Sequence, residues 1–214
     1  MKELFAEIST ALQQGRHLVV KELIQKALDE GAEPRDILNE ALLDGMNVIG
    51  EKFKKNEVYV PNVLIAARAM NAGTEILKPL LVADGVKPIG KAVIGTVAGD
   101  MHDIGKNIVK MLLEGKGIEV IDLGVNVSAD KFIETFIAED AQIICCSALL
   151  TTTMPEFKNV VDAAVNAGIR DKVTIMVGGA PVTDEYCKSV GADIYTPDAA
   201  SAADAAAAVL TGQK

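Results

Sequence analysis

Asp100 and His102 are the residues of this sequence whose types and spacing most clearly suggest chemistry. They lie in residues 99–107, which read Gly-Asp-Met-His-Asp-Ile-Gly-Lys-Asn. A metal-bound imidazole usually donates its second ring N–H to a carboxylate, which fixes the orientation of the ring, and Asp100 is close enough to supply one. Gly99 and Gly105 would let a bulky ligand approach the backbone, and Gly105 could also let the next helix pack closely. An ordinary solvated loop is the alternative, because so short a pattern is a weak signal on its own.

Two further segments place polar or small residues after apolar runs. Residues 147–153 read Ser-Ala-Leu-Leu-Thr-Thr-Thr, and their hydroxyl groups could either reach a ligand or cap a helix that begins near Pro155. Gly178 and Gly179 could admit a flat or long group against the backbone, or they could form a tight turn. Each segment has an ordinary explanation when it is considered alone.

The apolar residues up to about residue 81 recur at the spacing of amphipathic helices. Glycines indicate where the first two helices end, and prolines indicate where the last two begin. We therefore predict a four-helix bundle over residues 1–83, with helix boundaries near Gly15, Gly31, Pro34, Phe53 and Pro61. Residues 84–90, which read Asp-Gly-Val-Lys-Pro-Ile-Gly, predict a linker.

After this linker, short β-rich runs alternate with helical stretches. The predicted strands cover residues 92–98, 118–123, 141–147, 173–177 and 193–195. The predicted helices cover residues 104–113, 129–138, 155–167, 184–189 and 199–210. Continuously apolar strands that alternate with helices predict a parallel sheet covered on both faces. Residues 91–214 are therefore expected to form a doubly wound α/β domain with five parallel strands, which would bind a ligand beyond the carboxyl ends of its strands.

The composition disfavours several classes of partner. The 214 residues include 21 basic and 30 acidic ones, and the formal net charge of −9 would repel nucleic acid and anionic membrane surfaces. Only 4% of the residues are aromatic and none is Trp, which disfavours stacking on nucleobases. Neither a signal peptide nor an apolar run long enough to span a bilayer is recognisable. Neither nucleic acid nor a membrane is therefore expected as a partner.

The three cysteines indicate a cytoplasmic protein with reduced thiols. Cys145 and Cys146 are adjacent, Cys187 stands apart, and the sequence has no Cys-x-x-Cys pair, so neither a disulfide framework nor a zinc site is expected. Cys145 and Cys146 lie in an apolar run, which favours core residues over nucleophiles. The turn after the first predicted strand also lacks the glycine patterns of loops that bind dinucleotides or nucleoside triphosphates.

The three polar or glycine-rich segments follow the first, third and fourth predicted strands, so a parallel sheet would bring them to one edge. In chain order they contain the motifs Asp100-x-His102-x-x-Gly105, Ser147-x-Leu149 and Gly178-Gly179. This order and spacing resemble the signature of Rossmann-like or flavodoxin-like domains that bind cobalamin with its own base displaced. The preceding helices are similar to the cap module of methyl-carrying members, including methionine synthase. The chain most resembles the small corrinoid proteins of methylotrophic methyltransferase systems.

The resemblance implies roles for individual residues. His102 would be the lower axial ligand of cobalt, in the arrangement called base-off and His-on, and Asp100 would accept a hydrogen bond from its ring. Thr153 would complete this relay, at a position where methionine synthases tend to have Ser. Tyr59 is a candidate for touching the upper face of the cofactor, with a bundle-core tyrosine as the alternative. The other implied cofactor-binding residues are Gly99, Met101, Asp103, Ile104, Gly105, Ser147, Leu149, Thr151, Gly178, Gly179, Ala180, Tyr195, Thr196, Pro197, Asp198 and Ala199.

The resemblance also implies a methyl-carrier function. A substrate-specific methyltransferase would place a methyl group on Co(I), a second methyltransferase would move it from methyl-Co(III) to a folate or a thiol, and a reductive activase would restore the cobalt. Whether the chain counts as an enzyme stays open, since it is not expected to catalyse either transfer alone. The Asp100 and His102 pair could take up a proton when reduced cobalt loses its axial ligand, which is a hypothesis based on their spacing.

Two other functions use the same type of domain. One is the small subunit of an adenosylcobalamin mutase, which residues 1–83 argue against because those subunits lack this helical cap. The other is a cobalamin sensor, which would normally carry an effector domain that we do not recognise here. The identity of the methyl donor stays open among methanol, methylamines, betaines and methoxylated aromatics. The sequence therefore places that choice in a partner methyltransferase.

Overall fold

The computed structural model describes residues 1–83 and 87–212. The chain forms two compact units, one of Met1–Lys87 with Gly115–Gly117 and one of Pro88–Glu114 with Ile118–Lys214. Of the predicted linker 84–90, residues 84–86 lie outside the described part, and residues 87–90 form neither helix nor strand. Within the described residues, no helix is both long and apolar enough to cross a membrane.

The first unit is helical, as the apolar periodicity predicted. Its elements are α1 (Lys2–Gln13), α2 (His17–Asp29), α3 (Pro34–Ile37), a π-helical segment (Leu38–Leu43), α4 (Asp44–Lys54) and α5 (Val60–Ala83). Pro34 begins α3, where its missing N–H costs no helical hydrogen bond. The third predicted helix corresponds to α3, the π-helical segment and α4 in direct succession. The apolar stripes of these helices form a core that includes the fully buried residues Ile8, Leu12, Ile24, Leu42 and Leu77.

The second unit is a five-stranded, all-parallel sheet with helices between its strands, which confirms the predicted α/β fold. Its strands are β1 (Lys91–Thr96), β2 (Glu119–Asp122), β3 (Ile143–Ser147), β4 (Thr174–Gly178) and β5 (Ile194–Tyr195). Its helices are α6 (Ile104–Glu114), α7 (Ala129–Ala138), α8 (Glu156–Asn166), α9 (Asp184–Val190) and α10 (Ala199–Thr211). The strand order is β2-β1-β3-β4-β5, so the chain crosses over between β2 and β3. The switch in strand order puts a crevice at the carboxyl ends of β1 and β3.

The register of the sheet aligns the ends of its three central strands. Thr96 of β1 pairs with Ser147 of β3, and Ser147 pairs with Gly178 of β4. These residues stand in one row at the carboxyl edge, and the loops that follow them start from the same level. The sheet therefore brings together the three motifs that are far apart in the sequence.

Local capping interactions fix where the helices near this edge begin. Asp198 accepts a hydrogen bond from the main-chain N–H of Ser201 at 2.8 Å and begins α10, and Thr183 does the same for Tyr186 at 3.1 Å at the start of α9. Gly191 ends α9 in the left-handed conformation, with φ of 79°. The loops that lead from β4 and β5 into these helices thus end at capped helix N-termini.

Candidate functional site

Asp100 lies at the centre of the candidate site and is fully buried. Its Oδ1 atom accepts hydrogen bonds from the main-chain N–H of His102 at 3.0 Å and from the Nδ1 atom of His102 at 2.7 Å. Its Oδ2 atom accepts hydrogen bonds from the main-chain N–H of Leu149 and from the hydroxyl of Thr153, both at 2.8 Å. One carboxylate therefore joins the loop after β1 to the loop after β3.

The hydrogen bonds to Asp100 decide its charge. Burial by itself would raise the pKa of this carboxyl group, but the N–H groups of His102 and Leu149, the ring of His102 and the hydroxyl of Thr153 together hold the pKa well below its usual range. Asp100 is therefore an anion at neutral pH and can only accept hydrogen bonds.

The charge on Asp100 in turn fixes the tautomer of His102. Because the carboxylate only accepts, the Nδ1 atom of a neutral His102 ring must carry the proton, and the lone pair resides on Nε2. The side chain of His102 is 51% exposed. The Nε2 atom of His102 could therefore bind a metal, while the hydrogen bond from Nδ1 to Asp100 fixes the orientation of the ring. This is the usual arrangement of a histidine ligand.

The hydroxyl of Thr153 extends this relay into the protein. It lies 2.8 Å from Oδ2 of Asp100 and 2.9 Å from the carbonyl oxygen of Leu150, so its single proton has two acceptors within reach. Helix α8 begins after Pro155 with no side-chain capping bond. The alternative that Thr153 merely caps this helix is therefore wrong, because its hydroxyl is directed to the buried carboxylate.

Two residues that the sequence analysis missed hold the His102 loop from the other side. The hydroxyl of Thr96 donates a hydrogen bond to the carbonyl oxygen of His102 at 2.7 Å. The Oδ1 atom of Asn126 accepts one from the N–H of Gly99 at 2.7 Å, and the N–H of Asn126 donates to the carbonyl oxygen of Asp100 at 2.9 Å. Both residues are at the predicted ligand-binding edge of the sheet, which is the signal that could have identified them.

Four large apolar side chains, near His102 in the chain or in the loop after β3, are exposed. They are Met101, Ile104, Leu149 and Leu150. Exposed apolar side chains grouped around a polar centre are typical of a surface that a ligand covers. Asp103 instead accepts a hydrogen bond from the side chain of Asn107 at 3.1 Å, and Thr151 is exposed.

A cavity of about 260 Å³ lies beside this loop, between the sheet and helices α6 and α10. The predicted residues that line it are Gly105, Ser147, Gly178, Gly179, Ala180, Tyr195, Thr196, Pro197, Asp198 and Ala199. Lining residues that the sequence analysis did not name are Ile94, Lys106, Val109, Leu113, Cys145, Cys146, Met176, Val177 and Ala202. The other predicted residues of this unit lie outside the cavity, on the loops after β1 and β3 or, for Ile104, at the start of α6. Those on the loops are Gly99, Asp100, Met101, His102, Asp103, Leu149, Thr151 and Thr153. The spacing of Gly105, Val109 and Leu113 along one face of α6 could have predicted part of this wall.

Three glycines at the cavity serve different purposes. A β-carbon on Gly105 or Gly178 would meet nothing within 4 Å, so both residues border open space. The expectation that Gly105 allows close helix packing is therefore wrong. Gly179 has a φ of 139°, and a β-carbon there would lie 1.8 Å from the carbonyl oxygen of Ala148. Gly179 is needed because two backbone segments touch, whereas Gly105 and Gly178 keep the cavity wide.

The cavity wall includes the thiols of Cys145 and Cys146 and the ammonium group of Lys106, and none of them is in a reactive state. Cys145 and Cys146 are buried, and burial raises the pKa of Cys145 to about 12 and that of Cys146 well above its usual value. Both thiols therefore stay protonated, as expected for core residues. Lys106 is buried as well, and its ammonium group donates to Asp122 and to the side chain of Asn107, both at 2.7 Å.

Comparison with known proteins identifies the family. Residues 90–207 match the family model described as a B12 binding domain, and residues 4–78 match a second model with the same description. The chain belongs to the B12-binding family. This B12-binding protein is 38% identical over 211 residues to trimethylamine corrinoid protein 1 of Methanosarcina acetivorans, covering 98% of both chains. It is 41% identical over 203 residues to the dimethylamine corrinoid protein of Methanosarcina barkeri, covering 94% of both.

A solved structure agrees with this assignment. The methanol:cobalamin methyltransferase complex MtaBC from Methanosarcina barkeri contains a chain that matches the B12-binding protein with a TM-score of 0.90 and 35% identity, over 98% of this chain and 80% of that one. The resemblance to corrinoid proteins of methyltransferase systems, which the three motifs indicated, is thereby confirmed. The prediction of cobalamin as the cofactor is confirmed with it.

The residues of the B12-binding protein fit this cofactor. Cobalt accepts an imidazole nitrogen, and the side chain of His102 is half-exposed on a loop that is fixed by hydrogen bonds. The adjoining cavity of about 260 Å³ is many times larger than the roughly 10–15 Å³ that a cavity needs to hold one water molecule. Tyr59 lies in the first unit and is 67% exposed, so the alternative of a bundle-core tyrosine is wrong. Its contact with the cofactor stays a prediction.

Proposed function

We propose that this B12-binding protein carries a methyl group on the cobalt of cobalamin, with Nε2 of His102 as the lower axial ligand. The observation that carries this proposal is the buried carboxylate of Asp100, which engages Nδ1 of His102 at 2.7 Å and leaves Nε2 available. A histidine held in this way has the tautomer, the orientation and the exposure that a metal ligand needs.

Bound cobalamin supplies a cobalt centre that accepts a methyl group when reduced and releases it to a nucleophile. The residues of this chain hold and tune that centre. His102 would bind the metal, Asp100 orients the imidazole, and the hydroxyl of Thr153 lowers the free energy of the Asp100 anion. The cavity that Gly105 and Gly178 border would take the displaced nucleotide tail, since both residues leave open space there.

The partners in this proposal are methyltransferases. The structural relative in the methanol:cobalamin methyltransferase complex and the relatives named for trimethylamine and dimethylamine support a substrate-specific methyltransferase as the donor partner. A second methyltransferase that acts on a folate or a thiol, and a reductive activase, complete the cycle. The buried free thiols of Cys145, Cys146 and Cys187 are consistent with the cytoplasm as the place where it runs.

Reconstitution with hydroxocobalamin tests the proposal. The apoprotein is mixed with the cofactor, unbound pigment is removed, and the visible spectrum is compared with that of the His102→Ala variant. We expect the unmodified protein to retain cobalamin with the spectrum of a displaced base and an imidazole ligand, and the variant to lose the imidazole signature. An unmodified protein that retains no pigment, or a variant with an unchanged spectrum, would overturn the proposal.

A further inference from the structure

We infer that Thr96 and Asn126 are positioning residues that clamp the loop of residues 99–102 and so determine how completely His102 engages the cobalt. The inference rests on the proposed function, because it assumes that His102 is the axial ligand. The side-chain hydrogen bonds of Thr96 and Asn126 within the described part of the chain reach the main chain of the loop and not the imidazole ring. Both act on the main chain that carries it.

Thr96 holds the His102 end of the loop. It is the last residue of β1 and is fully buried, and its hydroxyl donates to the carbonyl oxygen of His102 at 2.7 Å. Its own main chain is fixed, since its N–H donates to Gly124 at 2.9 Å and its carbonyl oxygen accepts from Val127 at 2.9 Å. The hydroxyl is therefore a rigid point of attachment between the sheet and the ligand loop.

Asn126 holds the other end of the loop, at Gly99 and Asp100. Its side chain accepts a hydrogen bond from Gly99 at 2.7 Å and its N–H donates to the carbonyl oxygen of Asp100 at 2.9 Å. Asn126 has a φ of 53°, a left-handed conformation that Asn tolerates better than most residues, and Gly99 has a φ of 78°. Gly99 and Asn126, both in the left-handed conformation, are thus joined by a hydrogen bond of 2.7 Å. Neither residue belongs to one of the three sequence motifs.

The clamp and the carboxylate of Asp100 do different things to His102. Asp100 binds the ring and the N–H of His102, and so controls rotation of the imidazole. Thr96 binds the carbonyl oxygen of His102, and so controls where the α-carbon stands relative to the sheet. Removing the Thr96 hydroxyl leaves the Asp100 bonds in place, so its effect on ligation isolates the position of the loop. It also leaves the carbonyl group of His102 without its donor.

The variants Thr96→Val and Thr96→Ser test the inference. Val keeps the shape of Thr without the hydroxyl, and Ser keeps the hydroxyl. After folding is checked by circular dichroism, each protein, labelled with ¹⁵N-histidine, is loaded with unlabelled cobalamin and reduced to Co(II). Electron paramagnetic resonance then measures the fraction of cobalt that shows the twofold splitting by a labelled axial nitrogen, which the base of the cofactor cannot give. We expect Thr96→Val to lower the affinity for cobalamin roughly tenfold and to lose most of the nitrogen splitting, as is typical when a residue behind a metal ligand is changed. Thr96→Ser should restore both.

Thr211→Val is the matched control, since its hydroxyl also donates to a main-chain carbonyl, that of Ala207 at 2.8 Å, but at the end of α10. It should leave the affinity and the splitting unchanged. A folded Thr96→Val protein with full nitrogen splitting would overturn the inference. An equal loss in Thr96→Val and Thr96→Ser would also overturn it, because the hydroxyl would then not be the cause.

Asn126→Gly gives an independent test in case Thr96→Val does not fold. Asn126 is exposed and glycine accepts its backbone conformation, so this variant should fold while losing the side-chain bond to Gly99. We expect a partial loss of nitrogen splitting, and full splitting would contradict the role of Asn126. If the unmodified protein itself lacks the splitting, the proposed function fails. If the unmodified protein has it and both variants keep it, only the clamp fails.

Discussion

The loop that carries His102 and the cavity beside it are built in opposite ways. In the loop, polar groups of Gly99, Asp100 and His102 are engaged by hydrogen bonds to Thr96, Asn126 or Thr153. In the cavity, the wall is formed largely by apolar residues, buried thiols and glycines, and positions 105 and 178 face open space. One region is closely constrained by directional bonds, and the other provides room.

This difference separates two tasks in holding one large cofactor. Directional hydrogen bonds fix the metal ligand, because its effect depends on angle and distance. Open space with apolar walls accepts the bulk of an organic group and contributes affinity through burial. Changes in the loop should therefore alter ligation of the cobalt, whereas changes in the cavity should alter affinity for the nucleotide tail and leave the ligation unchanged.

Asp100→Asn should have the largest effect, because it removes the negative charge that accepts hydrogen bonds from His102, from the loop after β3 and from Thr153. The amide cannot accept at both positions, so one of its two sides must face an N–H or hydroxyl donor with its own NH₂ group. We expect the affinity for cobalamin to fall about 10- to 100-fold, with loss of the imidazole signature in the visible spectrum. Titration of the variant with hydroxocobalamin would measure both. An unchanged spectrum would mean that the loop does not control ligation.

Gly178→Val should have the next largest effect, and in the other region. A side chain at residue 178 would extend into open space, so the apoprotein should fold while the cavity becomes smaller. We expect binding of cobalamin to weaken about tenfold, from the cost of overpacking a filled site. The control is cobinamide, which lacks the nucleotide tail and should bind the variant and the unmodified protein equally well. Equal weakening of both ligands would contradict the assignment of the cavity to the tail.

Asp122→Asn tests the ion pair of Lys106, a charged residue of the cavity wall, with Asp122, which lies outside that wall. Burial would raise the pKa of Asp122, but the hydrogen bonds from Lys106 and Gly124 and the charges of Lys106 and Lys110 lower it, while Glu114 also faces this group. A carboxyl whose pKa is lowered on folding stabilises the protein above its unfolded pKa of about 3.9, and that contribution is lost as the pH falls through the folded value.

We therefore expect Asp122→Asn to reduce the free energy of unfolding of the apoprotein at pH 7 and to make it less dependent on pH in the acid range. Urea denaturation of both proteins at neutral and acid pH would measure this. A difference between the two proteins that stays constant as the pH falls would contradict the role of the Lys106 and Asp122 ion pair.

Thr153→Val should have the smallest effect on ligation. Asp100 loses one donor but keeps those from His102 and Leu149, so the carboxylate stays an anion. We expect an affinity loss of about threefold, the usual scale for one hydrogen bond among several. Thr153→Ser keeps the hydroxyl and should match the unmodified protein. Loss of the imidazole signature in Thr153→Val would show that the relay matters more than its geometry suggests.

The fold could be predicted from the sequence because its pattern of apolar residues is regular. The predicted helix at residues 104–113 is Ile104–Glu114, and the predicted strand at residues 141–147 is Ile143–Ser147. The contact of Asp100 with His102 was also predictable, since it depends on neighbours in one turn. That of Asp100 with Thr153 came from the family resemblance, because it joins two loops that are distant in the chain.

The clamp residues could not be identified in the same way. Thr96 looks like an ordinary strand residue, and Asn126 belongs to a turn after a different strand. Their contacts with the His102 loop depend on the register of the sheet and on a left-handed backbone at residue 126, neither of which the pattern of residue types specifies. The prediction that Gly105 allows close helix packing was wrong for a similar reason. A glycine that permits close packing and a glycine that borders open space look identical in a sequence.

The axial nitrogen is tested most directly by isotope labelling. The protein is produced with ¹⁵N-histidine, loaded with unlabelled cobalamin and reduced to Co(II), and its electron paramagnetic resonance spectrum is compared with that of unlabelled protein. If His102 is the lower ligand, the threefold nitrogen splitting of each cobalt line becomes twofold, because ¹⁵N has two nuclear spin states where ¹⁴N has three. A threefold splitting that persists in the labelled protein would mean that the base of the cofactor itself stays bound, and would contradict the account.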